Sequence, residues 1–392
     1  MDKRQIYLDN SATTEICDEA LNAYIEASRA HFGNPSSLHS IGHDAEMKVE
    51  DARRKILRSL HISTGDIIFT GSGSEANNLA ILGRAYAKER FRTGSKIITS
   101  MGEHASVNMP LAKLAGEGYK VVKIPTRGGV FDLSTFEREL TGDTVLVTVM
   151  LVNNETGAVY SIPEISAVIK RRCPNAYLHV DATQGYMKIP FSPAVLGADM
   201  VTVSAHKIKG PKGIGALYIS ERVKTEKGIS PIVFGGGQEG GLRSGTENVP
   251  AIVAFGRAAE VGLESISKSA EKLNTLYMHL AKRLRTSEAL KDLKLVVPPL
   301  HASHIANITL PGIKSETMLH YLSSLGIFVS SGSACSSNSA HRSEALIAFG
   351  KSEAEADTSI RVSFSDRNEL SDVDALIEAL ESGVTKLARI KR

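Results

Sequence analysis

Six apolar runs constrain most what this chain can fold into. They are DIIFT (66–70), KIITS (96–100), YKVVKI (119–124), TVLVTVMLV (144–152), AYLHVDA (176–182) and MVTVSA (200–205). Several are near-continuous rather than alternating, the pattern of strands buried on both faces of a parallel sheet. Helical segments such as AEMKVEDARRKILRSL (45–60) and EISAVIKRR (164–172) lie between them. Strand–helix alternation of this kind predicts an α/β layer fold.

The last third reads differently. EKLNTLYMHLAKRLRTS (271–287) places Leu273, Leu276, Leu280 and Leu284 on one helical stripe. A final helix is expected to open with Ser371 and Asp374 in capping-box spacing, followed by Ala375, Leu376, Ala379 and Leu380. These helices and a few short strands suggest a smaller α+β domain. At 392 residues a single core usually splits, so two domains are expected. The boundary is placed near 255–270, inside or after a helix beginning near Asn248–Pro250.

The net charge of +3 and the lack of a long basic run give no sign of nucleic-acid binding. The longest greasy run, 145–152, is far too short to span a bilayer. Nor does the charged start MDKRQIYLDNS read as a signal segment. The cysteines, Cys17, Cys173 and Cys335, are few and widely spaced, with no zinc pattern. A reducing, cytoplasmic setting is expected. Cys173, at a helix end in KRRCPN, reads as incidental.

Cys335 stands apart. It sits in SSGSACSSNSAH (330–341), among small and polar residues, whereas free cysteine usually packs as a small hydrophobe. Such a segment suits an accessible loop where thiol chemistry can occur, or merely a tolerated surface thiol.

Five other segments also look wrong for pure scaffold. FTGSGSEANN (69–78) follows a strand and enters a helix, leaving backbone N–H groups free for an anion such as phosphate. Gly71, Gly73 and Ala76 match a loose dinucleotide fingerprint, but Lys96 and Ser100 occupy the region where it needs an acid. Asp181 ends a buried strand, where ligand crevices form, though such a residue is as readily an N-cap. Ser204, His206 and Lys207 end another strand in VSAHKIKGPKGIG; a lysine there is a solvated charge or, with a lowered pKa, an amine nucleophile. His104 follows a strand in GEHASV. In TSIRVSFS (358–365), Arg361 points away from the face shared by Ile360, Val362 and Phe364, and suits capture of a carboxylate. Together these are the parts for pyridoxal-phosphate chemistry on an amino acid, with a cysteine as an added nucleophile.

The chain resembles the cysteine desulfurases of the nitrogen-fixation and iron–sulfur-cluster type. The match runs from YLDNSATT (7–14) and GNPSSLHSIG (33–42) through NNETG (153–157), HVDATQG and SAHKIKGPKGIGALY to GGGQEGGLRSGTEN (235–248) and SSGSACSS (330–337). It implies a homodimer of pyridoxal-phosphate fold type I with a mostly parallel central sheet. The large cofactor domain would be 15–258. The small α+β domain would join 1–14 to 259–392 and carry the cysteine loop at about 330–342.

The resemblance also implies roles. Lys207 would hold pyridoxal 5′-phosphate covalently and Asp181 would face its ring nitrogen. His104 would stack on the ring, Gln184 would bond the ring hydroxyl, and Asn154 would lie beside it. Ser74, Ser204 and His206 would bind the phosphate, with Thr246 reaching in from the other subunit. Position 74 often carries threonine in the family; serine supplies the same hydroxyl. Arg361, with Asn154, would hold the substrate carboxylate. Cys335 would take sulfur from L-cysteine, leaving alanine, and its loop would swing between cofactor and acceptor.

The expected acceptor is a scaffold for iron–sulfur clusters, with tRNA thiolation and thiamine synthesis equally readable. The family implies no resident metal, Cys335 serving at most as a transient cluster ligand. The rival readings are a selenocysteine lyase or aminotransferase of the same fold, and a sulfur-relay partner that acts by binding. A metal site built from Cys335, His341, His39 and His43 fits no known zinc spacing.

Overall fold

The computed structural model describes residues 5–87, 94–331 and 343–389. Cys335 and His341 lie outside the described residues. The central sheet is built from β2 (Asp66–Thr70), β3 (Lys96–Ser100), β4 (Lys120–Ile124), β5 (Thr144–Met150), β6 (Tyr177–Asp181), β7 (Met200–Ser204) and β8 (Gly215–Ile219), after a short β1 (Ile6–Tyr7). Its order is β2-β8-β7-β6-β5-β3-β4. β8 runs antiparallel to β7 and β2, while the remaining neighbours are parallel. Each apolar run of the sequence is therefore a strand, trimmed at most by two residues at an end. The glycine-rich stretch after β7 leads into β8, as a hairpin connection requires.

The runs are continuous because the sheet is covered twice. Ile67, Phe69, Ile98, Val147 and Leu178 face one core, together with α1 (Asp18–Ala30), α2 (Ser40–Ser59) and buried residues farther along the chain. Ile68, Ile97, Leu146 and Leu217 face the other, beneath α3 (Gly73–Ala85) and α4 (Ala105–Gly116). α5 (Ile162–Arg172) adds Ile165 and Ile169 to the first face.

The long helix α6 (Val249–Thr286) joins two cores. Asn248 caps it by accepting from the Ala251 N–H at 3.3 Å. Ile252, Phe255 and Ala259 belong to the first core, whereas Leu273, Leu276, Leu280 and Leu284 belong to another. That second core is closed by β9 (Lys294–Leu295), β10 (Ile305–Thr309), α7 (Ser315–Ser324), β11 (Ile327–Phe328), β12 (Ser330–Ser331), β13 (Ser359–Ser363) and α9 (Leu370–Arg389); a short helix, α8 (Glu344–Phe349), lies outside it. Here the strand order is β12-β13-β10-β9, all antiparallel, and β1 pairs in parallel with β11. Ile6 and Leu8, from the other end of the chain, pack into the same core.

The expected capping box at Ser371 is not formed. α9 begins at Leu370, so Ser371 lies within it. Asp372 instead accepts from the Glu369 N–H at 3.0 Å, and Asp374 is taken by His279 and Arg283 of α6. A charge partner distant in sequence decided between two plausible acids. His39 has a structural use: it caps α2, accepting from the Gly42 N–H at 3.2 Å. Cys17 and Cys173 are buried, and burial pushes both thiols up from their ordinary pKa. Among the described residues no helix is long and apolar enough to cross a membrane.

Candidate active site

A cleft of about 270 Å³ opens at the carboxyl ends of the parallel strands. This is where an open α/β sheet places its ligands, because the connecting loops diverge there. Ser74, His104, Asn154, Asp181, Gln184 and Ser204 line it, as do His206, Lys207 and Arg361. Nine of the sequence-derived candidates thus converge. Thr246 is exposed and does not line the cleft of its own chain. Cys335 lies outside the described residues.

The anion cradle comes from the turn between β2 and α3. Ser72 caps α3, its hydroxyl accepting from the Glu75 N–H at 3.1 Å. Glu75 turns back to accept from the Gly71 N–H at 2.8 Å and from Arg243 Nε at 2.8 Å. The turn is therefore fixed from outside, leaving Gly73 and Ser74 at the start of the helix to face the cleft. Gly215 makes the close packing possible: a Cβ there would stand 2.5 Å from the Ser72 carbonyl carbon.

Asp181 ends β6 and is buried. Its Oδ1 accepts from the Thr183 N–H at 3.0 Å and its Oδ2 from Asn77 Nδ2 at 2.8 Å. It does cap the next turn, but no helix follows, and its side chain still lines the cleft. Asn77 Nδ2 also reaches Ser106 Oγ at 2.8 Å, and Ser106 Oγ lies 2.8 Å from His104 Nδ1. A chain of hydrogen bonds thus joins Asp181 to His104. The Ser106 N–H donates to His104 Nδ1 at 3.1 Å, which puts the proton of a neutral ring on Nε2. Burial holds His104 below its ordinary pKa, against the pull of Asp181. His206 is pushed down to about 4 by burial and then by Lys207 and Lys212, so it too is neutral at pH 7.

Lys207 follows β7. Its amine donates to the carbonyls of Ser11 at 2.5 Å and Ala12 at 2.7 Å. Gln184 Nε2 also donates to the Ser11 carbonyl, at 3.0 Å. On the opposite wall, Arg361 projects from β13 away from the second core. Its Nη1 donates to the Asn154 carbonyl at 3.0 Å and its Nη2 to Asp9 Oδ1 at 2.8 Å. Burial raises the Asp9 pKa even against this guanidinium.

Several buried polar atoms lining the cleft have no hydrogen-bond partner among the described residues. They are Ser11 Oγ, Asn77 Oδ1, Asn154 Oδ1, Ser204 Oγ and Arg361 Nε. An unmet buried polar atom costs about 1–3 kcal/mol. Five in one cleft are what a polar ligand, bearing acceptors for Arg361 and partners for the hydroxyls, would satisfy.

Sequence reasoning assigned no role to Asn77, Ser106, Ser11 or Asp9. Asn77 carried a usable signal, since it lies one helical turn beyond Gly73 and so faces the same way as the cradle. Asp9 carried none, because its partner Arg361 is 352 positions away.

The sequence matches the aminotransferase class-V family over residues 6–376. A relative named Cysteine desulfurase IscS 1, from Archaeoglobus fulgidus, is 38% identical over 383 residues, covering 97% of this chain and 97% of that one. A solved structure of a NifS-like protein superposes with a TM-score of 0.89 at 33% identity, over 97% of this chain and 100% of the other. A structure of SspA in complex with cysteine superposes with a TM-score of 0.79 at 31% identity, over 93% of this chain and 100% of the other. With the family match and the relatives' identities extending over nearly its whole length, the chain belongs to the class-V aminotransferase family and, within it, to the IscS- and NifS-like proteins.

Proposed function

We propose that the protein is a pyridoxal-phosphate-dependent cysteine desulfurase, which converts L-cysteine to L-alanine and leaves the sulfur as a persulfide on Cys335. One observation carries this reading: an anion cradle, a buried aspartate, a lysine amine and an arginine converge on one cleft in which five buried polar atoms have no partner among the described residues. The residues fit the cofactor. Ser74, the orphaned Ser204 Oγ and the first N–H groups of α3 suit its phosphate, and neutral His206 adds a hydrogen bond rather than a charge. Asp181 would pair with its ring nitrogen, His104 would stack on its ring face, and Gln184 would bond its ring hydroxyl with Asn154 beside it. Bound there, pyridoxal phosphate supplies an electron sink for the charge left when a substrate Cα loses its proton.

The chain's own residues do the rest. Lys207 would hold the cofactor through its amine, and the same amine is placed to take the α-proton of L-cysteine. Arg361 holds the substrate carboxylate with its unused Nε and fixes the Cα near that amine. Asp181 would accept a hydrogen bond from the ring nitrogen. The Cys335 thiolate attacks the substrate sulfur, so the C–S bond breaks, an S–S bond forms, and the carbon gains the proton that makes alanine's methyl group.

Two further assignments rest on the resemblance. The chain divides into 15–258 and a unit of 1–14 with 259–392, in keeping with the two cores that share α6. It pairs as a homodimer in which Thr246, exposed in the single chain, serves the other copy's site. We place the enzyme in the cytoplasm, where Cys335 stays reduced, with an iron–sulfur scaffold protein as acceptor.

Arg361→Ala tests the substrate assignment. A charge-assisted hydrogen bond contributes about 1.5–3 kcal/mol, so KM for L-cysteine should rise about 10- to 100-fold, read from initial rates of alanine formation. An unchanged KM would remove Arg361 from the substrate site. Gly215→Ala tests the cradle. Overpacking costs about 1–3 kcal/mol, and here it presses on the backbone of Ser72 and Gly73. The variant should melt several degrees lower and release its cofactor faster on dilution; wild-type retention would separate the cradle from phosphate binding.

A further inference from the structure

Glu155 follows Asn154 but has no part in the chemistry above. It is buried in a turn that Asn153 fixes by accepting from the N–H groups of Glu155 at 3.0 Å and Thr156 at 2.9 Å. Burial pushes its carboxyl up to about 7, against the pull of Ser343, Arg361 and Lys351. Its Oε2 accepts from Ser343 Oγ at 2.5 Å, and Ser343 in turn caps α8 by accepting from the Leu346 N–H at 3.1 Å. Ser343 is the first described residue after the chain passes Cys335.

The other side of that segment is tied to the same place. Ser330 of β12 stands opposite Arg361 in the β12–β13 ladder. The chain therefore leaves the described structure beside Arg361. It returns at Ser343, bonded to the residue next to Asn154, whose carbonyl accepts from Arg361. A second contact joins α8 to α4: Asn108 Nδ2 donates to Glu344 Oε2 at 3.4 Å. A buried carboxyl held at such a cost in desolvation is poorly explained by packing alone.

We propose that Glu155 is a positioning residue for sulfur transfer: through the Ser343 hydroxyl it fixes the start of α8 to the loop that carries Asn154 and braces Arg361. Ser343 is where the described chain resumes after residue 335, so this bond joins the segment following the nucleophile to the wall that holds Arg361. This rests on the desulfurase reading. Loss of the bond should leave L-cysteine binding intact and slow the transfer, because near-attack geometry is sensitive to displacements of about 1 Å.

The test uses the holoenzyme. Ser343→Ala should lower alanine formation at saturating L-cysteine at least tenfold, with KM within twofold of wild type and the cofactor's absorbance change on adding L-cysteine retained. Ser343→Thr, which keeps the hydroxyl, should restore the rate to within threefold. Ser343→Ala combined with Glu155→Ala should be no slower than either alone, since both remove one bond. A wild-type rate in Ser343→Ala, an unrestored rate in Ser343→Thr, or additive losses in the double variant would overturn the proposal. Should Ser343→Ala not fold, Glu155→Ala against Glu155→Gln, which keeps an acceptor for the hydroxyl, decides in its place. Cys335→Ala is run alongside: wild-type sulfur release from that variant would sink the desulfurase reading itself, whatever Ser343 does.

Discussion

Lys207→Ala is expected to lose turnover by at least two to four orders of magnitude. Removal of a general base alone typically costs about 10²- to 10⁴-fold, and here the covalent attachment of the cofactor is lost with it. The surroundings of the amine are consistent with both proposed duties. It follows the end of β7 and is steadied by the carbonyls of Ser11 and Ala12, two neutral acceptors that orient it. Those acceptors belong to the segment that also takes Gln184, so the amine and the ring-hydroxyl ligand share one support. The variant should fold, because no core residue is touched, and should hold pyridoxal phosphate by its phosphate and ring contacts alone. The check is the rate of alanine formation, with the visible spectrum showing loss of the lysine-bound form. A rate within tenfold of wild type would remove Lys207 from the proton transfer.

Cys335→Ala is expected to abolish persulfide formation while leaving the coloured cofactor bound. The residues proposed to hold the cofactor and the substrate carboxylate lie on or just beyond β5, β6, β7 and β13 or at the starts of α3 and α4, none of which includes position 335. Binding of L-cysteine should therefore persist, seen as a change in the cofactor's spectrum, while sulfur transfer falls below detection. No other cysteine can substitute: Cys17 and Cys173 are buried, with their thiols held in the protonated form by burial. Sulfur release at the wild-type rate would contradict the assignment of the nucleophile.

How much of this was legible in the sequence depended on the range of the interactions involved. The central sheet was legible because burial on both faces writes itself as unbroken apolar runs such as TVLVTVM. Asp181, Ser204 and Lys207 were legible because a polar residue ending such a run must emerge where the loops diverge. The stripe at Leu273, Leu276, Leu280 and Leu284 was legible from helical periodicity, and its neighbours confirm it. The second sheet was not, since β9, β11 and β12 are only two residues long and carry no pattern of their own. The misplaced cap at Ser371 has the same origin, because only the approach of Arg283 and His279 marks Asp374 as an ion-pair partner. The link from Asp181 through Asn77 and Ser106 to His104 joins three segments, so spacing within any one of them could not reveal it. The roles of Thr246 and Cys335 come from the family resemblance.

The most direct test of the central claim is to incubate the purified holoenzyme with L-cysteine under reducing conditions, quantify alanine, and weigh the peptide containing Cys335. The account predicts alanine over many turnovers and, when acceptor thiols are withheld, one added sulfur on Cys335. No alanine from protein that visibly carries its cofactor, or added sulfur at a different cysteine, would contradict it.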